Sequence, residues 1–379
     1  MWHTHAARMG GSAEHACAKP PSLGDVQTAP TPPSLALVAG RVDDRLRVLL
    51  AAEEARWTAF DPDLGDPIRE IGRLVLAGGK RLRPAFTYWG FVGAGGDPGD
   101  PRVIDAGGAF ELMHAFALFH DDVMDDATSR RGAITTHTEF ARRHEQGGWA
   151  GEARRFGDGV AILVGDLAFV YADQLMTGSS PQAWAIWNEL RVELNVGQVL
   201  DILGGARHDR RRDKAERICR YKSGKYTIER PLHLGAVMAA PEREAELLPA
   251  LSAYGLPLGD AFQMRDDVMG AFGDEALTGK PVGGDLREGK PTPLLARAVE
   301  ASTPAQHEVL DLVGRPELGD DEVARIQQVI VDTGALADLE RSISCLTDEA
   351  IVAIERAPIT DEARDELVQL AHYVSWRQV

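Results

Sequence analysis

Apolar residues recur with helical spacing almost everywhere from residue 36 onward, and this regularity limits the fold more than any other feature of the chain. Apolar residues at positions i, i+3, i+4 and i+7 mark the segments 46–57, 104–124, 160–176 and 183–203. Alternating strand patterns are not evident, and Gly, Pro and Asp residues separate the helical segments. Several helices are apolar on more than one face, which favours a central helix wrapped by others. The sequence therefore predicts one large all-α domain over 36–379.

The first 35 residues differ from the rest in composition. Five prolines lie there among Gly, Ser, Thr and Ala, without a helical or a strand period. This composition predicts a disordered N-terminal tail over 1–35. The tail lacks the basic start and the apolar core of a secretory signal, and no apolar run approaches the roughly 18 residues that span a bilayer. We therefore expect a cytoplasmic protein without an integral membrane segment.

The charge balance restricts the kind of partner. The chain has 58 acidic and 41 basic residues, a net charge of −17. A negative surface repels phosphate, which argues against a general nucleic-acid or anionic-membrane binder. Only seven of the 41 basic residues are lysines, so each lysine is expected to serve a specific purpose. Any phosphate ligand must be bound by a local cluster of cations.

An acidic segment ends the apolar stretch 104–124. On a helix Asp121 and Asp125 lie about 40° apart, and His114 falls close to the same line. Asp is a poor helix former and like charges four residues apart repel, so the arrangement costs stability unless a cation lies between the side chains. A few neighbouring hard oxygen ligands suit Mg²⁺, which completes its shell with water and substrate phosphate. A solvated acidic helix end explains an isolated DDxxD motif about equally well.

A second acidic segment ends another apolar helix. Gln263, Asp266 and Asp267 share one helix face, and Gly270 stands where the first segment has Asp125. Facing helices of a bundle commonly build a metal site from inward carboxylates. The pair of segments therefore predicts a Mg²⁺ site between two helix ends.

Basic segments accompany the acidic ones, at 78–84, 130–132, 221–225 and 278–290. In the first, a glycine turn precedes Lys80, Arg81 and Arg83, and a proline starts the next helix, which is typical of an anion site. Five of the seven lysines fall in three of these segments, and the fourth contains an arginine pair. A diphosphate bridged to Mg²⁺ and bound by Lys and Arg fits this pattern.

In these segments the sequence resembles the trans-isoprenyl diphosphate synthases (polyprenyl synthetases), over about 36–379. The matching pieces are GGKRLRP at 78–84, ELMHAFALFHDDVMDD at 111–126, RRG at 130–132, GQVLD at 197–201, YKSGKYT at 221–227 and FQMRDDVMGAFGDEALTGKPVGGDLREGKPT at 262–292. The resemblance implies a bundle of about ten or more helices around a central cavity, of the isoprenoid synthase type. It also implies a homodimer that joins isopentenyl diphosphate to allylic diphosphates, with several Mg²⁺ ions per site.

The resemblance assigns roles to individual residues. It implies that the diphosphate of isopentenyl diphosphate binds Lys80, Arg83, His114 and Arg131. It implies that the allylic diphosphate faces Arg130, Gln198, Lys222, Gln263, Lys280 and Lys290. The implied principal Mg²⁺ ligands are Asp121, Asp125 and Asp266, with Asp122, Asp201 and Asp267 nearby. Ser223 stands where many members have Thr, whose backbone carbonyl faces the carbocation.

Two features bear on the reaction and its product. Gly270 departs from the family pattern, whose second motif usually ends in Asp, and we expect weaker metal affinity without loss of chemistry. Ala117 lies one helical turn before Asp121, and Phe116 precedes it. In the family, bulk at these positions forms a floor for the growing chain, although Phe is also common in ordinary cores. The resemblance to archaeal-type geranylgeranyl diphosphate synthases predicts that product, with farnesyl and geranylfarnesyl diphosphate as alternatives.

Two other functions compete with this prediction. A class I terpene cyclase has the same α-fold and ionises the same substrates, but it has no need of the second diphosphate site predicted at Lys80, Arg83 and His114. A non-catalytic subunit that redirects an active synthase is supported only by Gly270. The complete first acidic motif counts against such a subunit, because aspartates without a catalytic role are expected to drift to better helix formers.

Overall fold

The computed structural model describes residues 30–130, 132–273, 283–315 and 318–376, and most of them are helical. The first half of the chain forms α1 (Pro33–Phe60), α2 (Gly65–Val75), α3 (Leu82–Gly93), α4 (Pro101–Met124), α5 (Thr136–Gly147), α6 (Ala153–Leu175) and α7 (Pro181–Ala206). Next come α8 (Arg212–Ile218), a π-helix (Cys219–Glu229), α9 (Arg230–Ala239) and α10 (Glu244–Phe272). The C-terminal part forms α11 (Gly284–Glu288), α12 (Pro293–Ala301), α13 (Pro304–Leu310), α14 (Asp320–Asp332), α15 (Ala335–Glu355) and α16 (Asp361–Ser375). The predicted all-α class is confirmed.

Short elements complete the fold. Two 3₁₀ turns cover Pro62–Leu64 and Pro241–Arg243. Two strands of two residues each, β1 (Ser129–Arg130) and β2 (Ala133–Ile134), pair antiparallel directly after the first acidic segment. The sequence analysis missed this hairpin, because two residues are too few to establish an alternating pattern.

Helix α4 is the central helix predicted from multi-face apolarity. It packs against α1, α2, α3, α5, α6 and α9. Its side chains are buried on several sides, including those of Phe110, Leu112 and Met113. Asp100 caps its N-terminus by accepting a hydrogen bond from the Arg102 N–H, and Pro101 occupies the first helical position. The first acidic segment thus lies at the C-terminal end of this central helix.

Two clusters of buried apolar side chains meet on α10. Leu258 and Phe262 belong to the larger cluster, which surrounds α4. Met264 and Val268 belong to the smaller cluster, formed with α11 to α15. The second acidic segment, at the end of α10, therefore lies where the two cores join.

The domain begins slightly earlier than the sequence indicates. Helix α1 starts at Pro33, because proline suits the first turn of a helix, so the helical part precedes the predicted boundary at 36. Residues 1–29 lie outside the described residues, and the disordered tail stays a prediction. No helix in the described ranges combines the length and the apolarity that crossing a membrane requires. The cytoplasmic location also stays a prediction.

Candidate active site

A cavity of about 770 Å³ lies between the basic turn before α3 and the ends of α4 and α10. Helix α7, the π-helix and α11 complete its wall. The predicted site residues that line it are Lys80, Arg83, His114, Phe116, Ala117, Asp121, Arg130, Gln198, Asp201, Lys222, Ser223, Gln263, Asp266, Asp267 and Lys290. Predicted residues Arg131 and Lys280 lie outside the described residues. The structure thus brings both acidic segments and the basic segments to one cavity.

Asp121 is surrounded by polar and cationic groups. Its Oδ1 accepts a hydrogen bond from Gln198 Nε2 at 3.0 Å and lies 3.4 Å from Lys222 Nζ. Its Oδ2 lies 3.5 Å from Arg130 Nη2. Burial alone would raise the pKa of Asp121, but Lys222, Lys290 and Arg130 outweigh burial and lower that pKa. Asp121 therefore stays ionised.

The other two acids of the first motif lie beside the cavity and not on its lining. Asp122 is buried, and its Oδ1 accepts a 2.6 Å hydrogen bond from Arg130 Nε. Asp125 follows the last residue of α4, and its Oδ2 lies 4.0 Å from Lys290 Nζ. Burial and the Asp121 carboxylate raise the pKa of Asp125 to about 6. Asp122 thus orients Arg130, whereas the sequence analysis placed Asp122 only near the principal Mg²⁺ ligands.

The second acidic segment has an incompletely satisfied carboxylate. Gln263 Nε2 donates to Asp267 Oδ1 at 2.9 Å, whereas Asp267 Oδ2 is buried without a hydrogen-bond partner among the described residues. Burial raises the pKa of Asp267 well above its usual value, although the Gln263 hydrogen bond opposes the shift. The nearby carboxylates of Asp266 and Asp285 raise it further. A cation at this position would give Asp267 Oδ2 a partner and would favour the ionised form of Asp267.

The residues present fit a magnesium ion that shares its ligands. Within the described ranges, no three His, Cys, Asp or Glu side chains come close enough together to hold a metal on their own. Mg²⁺ usually takes one or two carboxylates and fills its octahedral shell with water and phosphate oxygens. Asp121 of the first acidic segment and Asp266 of the second, both on the lining of one cavity, supply such ligands.

Lys222 reaches the cavity from the π-helix. Its Nζ lies 2.5 Å from Asp201 Oδ2 on α7 and also contacts Asp121. Burial would lower the pKa of Lys222, but the two carboxylates raise it, so the ammonium stays charged. The ion pairs hold a positive charge beside the first acidic segment.

The basic turn before α3 contains one cation with a structural role. Arg81 has a left-handed backbone, with φ of 50°, and its guanidinium is buried. It donates to Glu111 at 2.6 Å, to Asp43 at 2.9 Å and to the Val75 carbonyl at 2.6 Å. The sequence analysis grouped Arg81 with Lys80 and Arg83, whereas the structure uses it to anchor the turn.

Arg83 lies among residues that the sequence analysis did not single out. Its Nη2 donates to Thr227 Oγ1 at 3.1 Å, and its guanidinium lies 4.3 Å from the centre of the Tyr226 ring. Its Nε is buried without an acceptor among the described residues, as an anion-binding guanidinium would be. Tyr226 and Thr227 end the matching piece at 221–227, and Tyr226 lies four residues after Lys222, which is the signal that could have found them.

Phe116 packs against aromatic rings from two helices. Its ring centre lies 4.7 Å from that of His120 on α4 and 4.9 Å from that of Phe169 on α6. Arg191 on α7 covers Phe169, with its guanidinium 5.0 Å from the ring centre. Phe169 was not predicted, because nothing in the sequence of α6 indicates that it meets α4 at this level.

Comparison with known proteins identifies the family. A family model described as polyprenyl synthetase matches residues 66–330. The chain belongs to this family. The polyprenyl synthetase fold also extends beyond the matched residues, because α1, α15 and α16 pack against the same core.

Relatives of this polyprenyl synthetase cover most of the chain. The geranylfarnesyl diphosphate synthase of Aeropyrum pernix is 33% identical over 78% of this chain and 89% of the relative. A farnesyl diphosphate synthase of Mycobacterium tuberculosis is 30% identical over 91% of this chain and 90% of the relative. The solved geranylgeranyl pyrophosphate synthase of Corynebacterium glutamicum, complexed with isoprenyl diphosphate and magnesium, is 36% identical with a TM-score of 0.84. It covers 90% of this chain and 99% of its own.

These similarities confirm the predicted enzyme class: the polyprenyl synthetase is a prenyltransferase of isoprenoid biosynthesis. The relatives are named for products of different chain lengths. Product length therefore has to be argued from the cavity of this chain.

Proposed function

We propose that this prenyltransferase condenses isopentenyl diphosphate with allylic diphosphates and releases mainly all-trans geranylgeranyl diphosphate. The observation that carries the proposal is the shared cavity: Asp121 of the first acidic segment and Asp266 of the second line it together with Lys80 and Arg83. A diphosphate bound to carboxylates through Mg²⁺ and to cations directly needs such a mixture of charges.

Isopentenyl diphosphate binds at the basic turn in this proposal. Lys80, Arg83 and His114 line the cavity there, with Arg131 assigned to the same diphosphate. The buried Nε of Arg83, without an acceptor in the described part of the chain, is the donor best suited to a phosphate oxygen. A terpene cyclase would have no use for this second anion site.

The allylic diphosphate binds between the two acidic segments. Mg²⁺ held by Asp121, Asp125 and Asp266 would neutralise charge that develops on the leaving diphosphate. Arg130, Lys222 and Lys290 add positive charge near Asp121, with Gln198 and Gln263 as further contacts on the cavity and Lys280 assigned to the same diphosphate by the resemblance. Asp201 orients Lys222, and Asp122 orients Arg130. Asp267 lies next to Asp266 and completes the acidic wall.

The chain's residues then control the fate of the allylic cation. Breaking the carbon–oxygen bond leaves diphosphate among Arg130, Lys222 and Lys290, where it is stabilised. The double bond of isopentenyl diphosphate attacks the cation, and the departing diphosphate takes the proton that is released. Apolar groups from Phe116, Ala117 and Leu194 line the deeper cavity and exclude water, which would quench the cation. The Ser223 carbonyl faces the cation in this arrangement.

Phe116 sets the product length in this proposal. Its ring is held against Phe169 and His120, so it cannot turn aside without disturbing α6. A chain growing along α4 from Asp121 meets this ring just beyond Ala117. That position supports a C20 product.

We also propose that the enzyme is a homodimer. Exposed apolar side chains on α6 and α7 are Ile162, Leu163, Val170, Val192, Val196, Val199, Ile202 and Leu203. A soluble monomer rarely exposes so many large apolar groups on two neighbouring helices. A second copy of the chain covers this α6–α7 surface by placing the same surface against it.

The test is product analysis. Purified protein is incubated with Mg²⁺, isopentenyl diphosphate and one of dimethylallyl, geranyl or farnesyl diphosphate, and the dephosphorylated alcohols are identified by mass. We expect geranylgeraniol, and only when isopentenyl diphosphate is present. A hydrocarbon formed from the allylic substrate alone would indicate a cyclase, and no turnover with any primer would indicate a non-catalytic subunit. A longer or shorter alcohol would keep the synthase and reject the Phe116 floor.

A further inference from the structure

Lys225 is the lysine of the basic segments that takes no part in the proposed reaction. It lies three residues after Lys222 on the π-helix, and it is not among the residues that line the active-site cavity. Its side chain is 13% exposed, its Nζ donates to Glu193 Oε1 on α7, and Nζ lies 3.7 Å from Glu229 Oε2. Because a buried ammonium is costly unless it is paired, these two carboxylates keep Lys225 inside the fold.

Glu193 joins Lys225 to a second cation. Arg230, the first residue of α9, donates from Nε to Glu193 Oε2 and from Nη2 to Glu193 Oε1, both at 2.7 Å. Burial would raise the pKa of Glu193, but the hydrogen bonds from Arg230 and Lys225 outweigh burial and lower that pKa. Glu193 therefore stays ionised and holds the C-terminal half of the π-helix against α7.

The face of α7 that carries Glu193 also contacts the rest of the π-helix. Gly197 and Asp201 follow Glu193 at intervals of four residues, so the three residues share one face of α7. The backbone of Lys222 lies directly against Gly197, and Lys222 Nζ lies 2.5 Å from Asp201 Oδ2. One stripe of α7 therefore contacts both Lys222 and Lys225.

The π-helix depends on such contacts for its winding. Most π turns are single turns inside α-helices, whereas this π-helix runs over 11 residues, Cys219–Glu229. A return to α-helical winding would rotate Lys222 relative to Lys225 about the helix axis, because the two windings have different numbers of residues per turn. The ion pairs that Glu193 makes with Lys225 and Arg230 oppose this rotation.

We propose that Glu193 and Lys225 are positioning residues, which hold the π-helix in the winding that directs Lys222 toward Asp121 and Asp201. Neither of the two side chains lines the cavity, so both act on the reaction through Lys222. The inference rests on the proposed function, in which Lys222 faces the allylic diphosphate.

The test separates positioning from a contribution to stability alone. Lys225→Met removes the ammonium and keeps an unbranched side chain, and Glu193→Gln removes the charge and keeps the shape. Each change is made in the wild type and in Lys222→Met. Arg297→Met is the matched control, because Arg297 is a buried cation paired with Asp338 at 3.0 Å and does not line the cavity.

Two quantities are measured for every variant. The first is the rate of a single turnover of farnesyl diphosphate with labelled isopentenyl diphosphate, which isolates the condensation from product release. The second is the midpoint of urea unfolding, which reports stability. Glu193→Gln decides the test alone if Lys225→Met does not fold.

Lys225→Met and Glu193→Gln are each expected to slow the single turnover about tenfold in the wild type, because a small misplacement of a reacting group is costly. In Lys222→Met the same changes should alter the rate less than about twofold, because residues that act as a unit have non-additive effects. Both changes should lower the urea midpoint in either protein, since the Glu193 ion pairs are present in both. Arg297→Met should lower the midpoint and leave the rate within about twofold.

Three results would overturn the inference while the enzyme remains a synthase. One is a tenfold loss of rate that persists in Lys222→Met, because Glu193 and Lys225 would then act without Lys222. Another is an unchanged rate in both Lys225→Met and Glu193→Gln. The third is an equal loss of rate in Arg297→Met, which would assign the effect to general loosening of the fold. A wild type that forms no product from farnesyl and isopentenyl diphosphates, or from any other primer, would instead reject the proposed function, and the inference with it.

Discussion

Individual side chains of this site are held by one another before any ligand is present. Lys222 lies between Asp121 and Asp201, and Arg130 lies against Asp122. Because an unpaired buried charge is costly, these ion pairs compensate the charges of the two cations beside the cavity. Specific lysines, in a chain that otherwise uses arginine, therefore have partners in the structure that the sequence did not reveal.

Phe116 allows a prediction at this scale. Phe116→Ala removes the ring that we propose as the floor of the cavity, so we expect products longer than C20 from farnesyl diphosphate and isopentenyl diphosphate, identified by mass after dephosphorylation. Phe169→Ala removes only the ring behind it and should lengthen the product less. Phe140→Leu, in the core but away from the cavity, is the control and should not change product length. Unchanged product length in Phe116→Ala would contradict the floor.

At the scale of elements, close packing against α7 determines the position of the π-helix. A Cβ on Gly197 would lie 2.5 Å from the backbone nitrogen of Lys222, so only glycine lets the two helices meet here. The wide π turn and this contact together bring Lys222 to Asp201. The position of the cation therefore depends on a residue with no side chain.

Gly197→Ala should push the π-helix away from α7. We expect a loss of about 1–3 kcal/mol in the free energy of unfolding, as overpacking causes, together with a lower kcat because Lys222 moves. Gly205→Ala is the control on the same helix, since a Cβ there meets nothing within 4 Å, and it should be neutral or stabilising by up to about 1 kcal/mol. Urea unfolding and steady-state kinetics measure both effects. Equal behaviour of the two variants would contradict the argument.

His233 of α9, which contacts α10, allows a prediction about pH. Its Nε2 donates to the Leu248 carbonyl oxygen at 3.2 Å and also lies 3.0 Å from Ser252 Oγ. Burial, aided by the charge of Arg230, lowers the pKa of His233 from 6.5 to about 3. Between these values the unfolded chain binds a proton that the folded chain does not, so stability falls as the pH falls through this window.

The expected loss attributable to His233 between pH 7 and pH 5 is on the order of 2 kcal/mol. His233→Gln should lose less stability than the wild type over this interval, measured by urea unfolding at each pH. The comparison uses the slope against pH, so a general destabilisation of the variant does not affect it. Parallel slopes would show that His233 is not the group responsible.

At the scale of the whole molecule, the proposed dimer has its interface on the α6–α7 surface. Val192 and Val196 are 58% and 48% exposed there. Changing both to Glu should convert the proposed dimer to a monomer, measured by light scattering after size-exclusion chromatography, because charge is costly at an apolar interface. Val48→Glu, at an exposed valine on α1, is the control and should leave the mass unchanged. A wild type of monomer mass would contradict the dimer.

The amino-acid sequence alone predicted the all-α fold, the two acidic segments and the cations that share their cavity. These features depend on spacing within one helix, where residues three and four apart share a face, or on short motifs that stay contiguous in the chain. Matching motifs also indicated the family, which the comparisons confirmed. The start of α1 was missed because helix ends carry little periodic signal. The short hairpin was missed because two-residue strands are too short to show an alternating pattern.

Tertiary structure decided which distant residues meet. Only packing turned Arg81 inward, placed Phe169 behind Phe116, and set Asp285 in the space beside Gly270. No local sequence pattern predicts these contacts, because each contact joins elements that are distant in the chain. How closely such elements approach depends on the shape of the whole core and on where small residues allow close packing. The sequence thus determined the kind of chemistry, and the fold determined which side chains are in position to perform it.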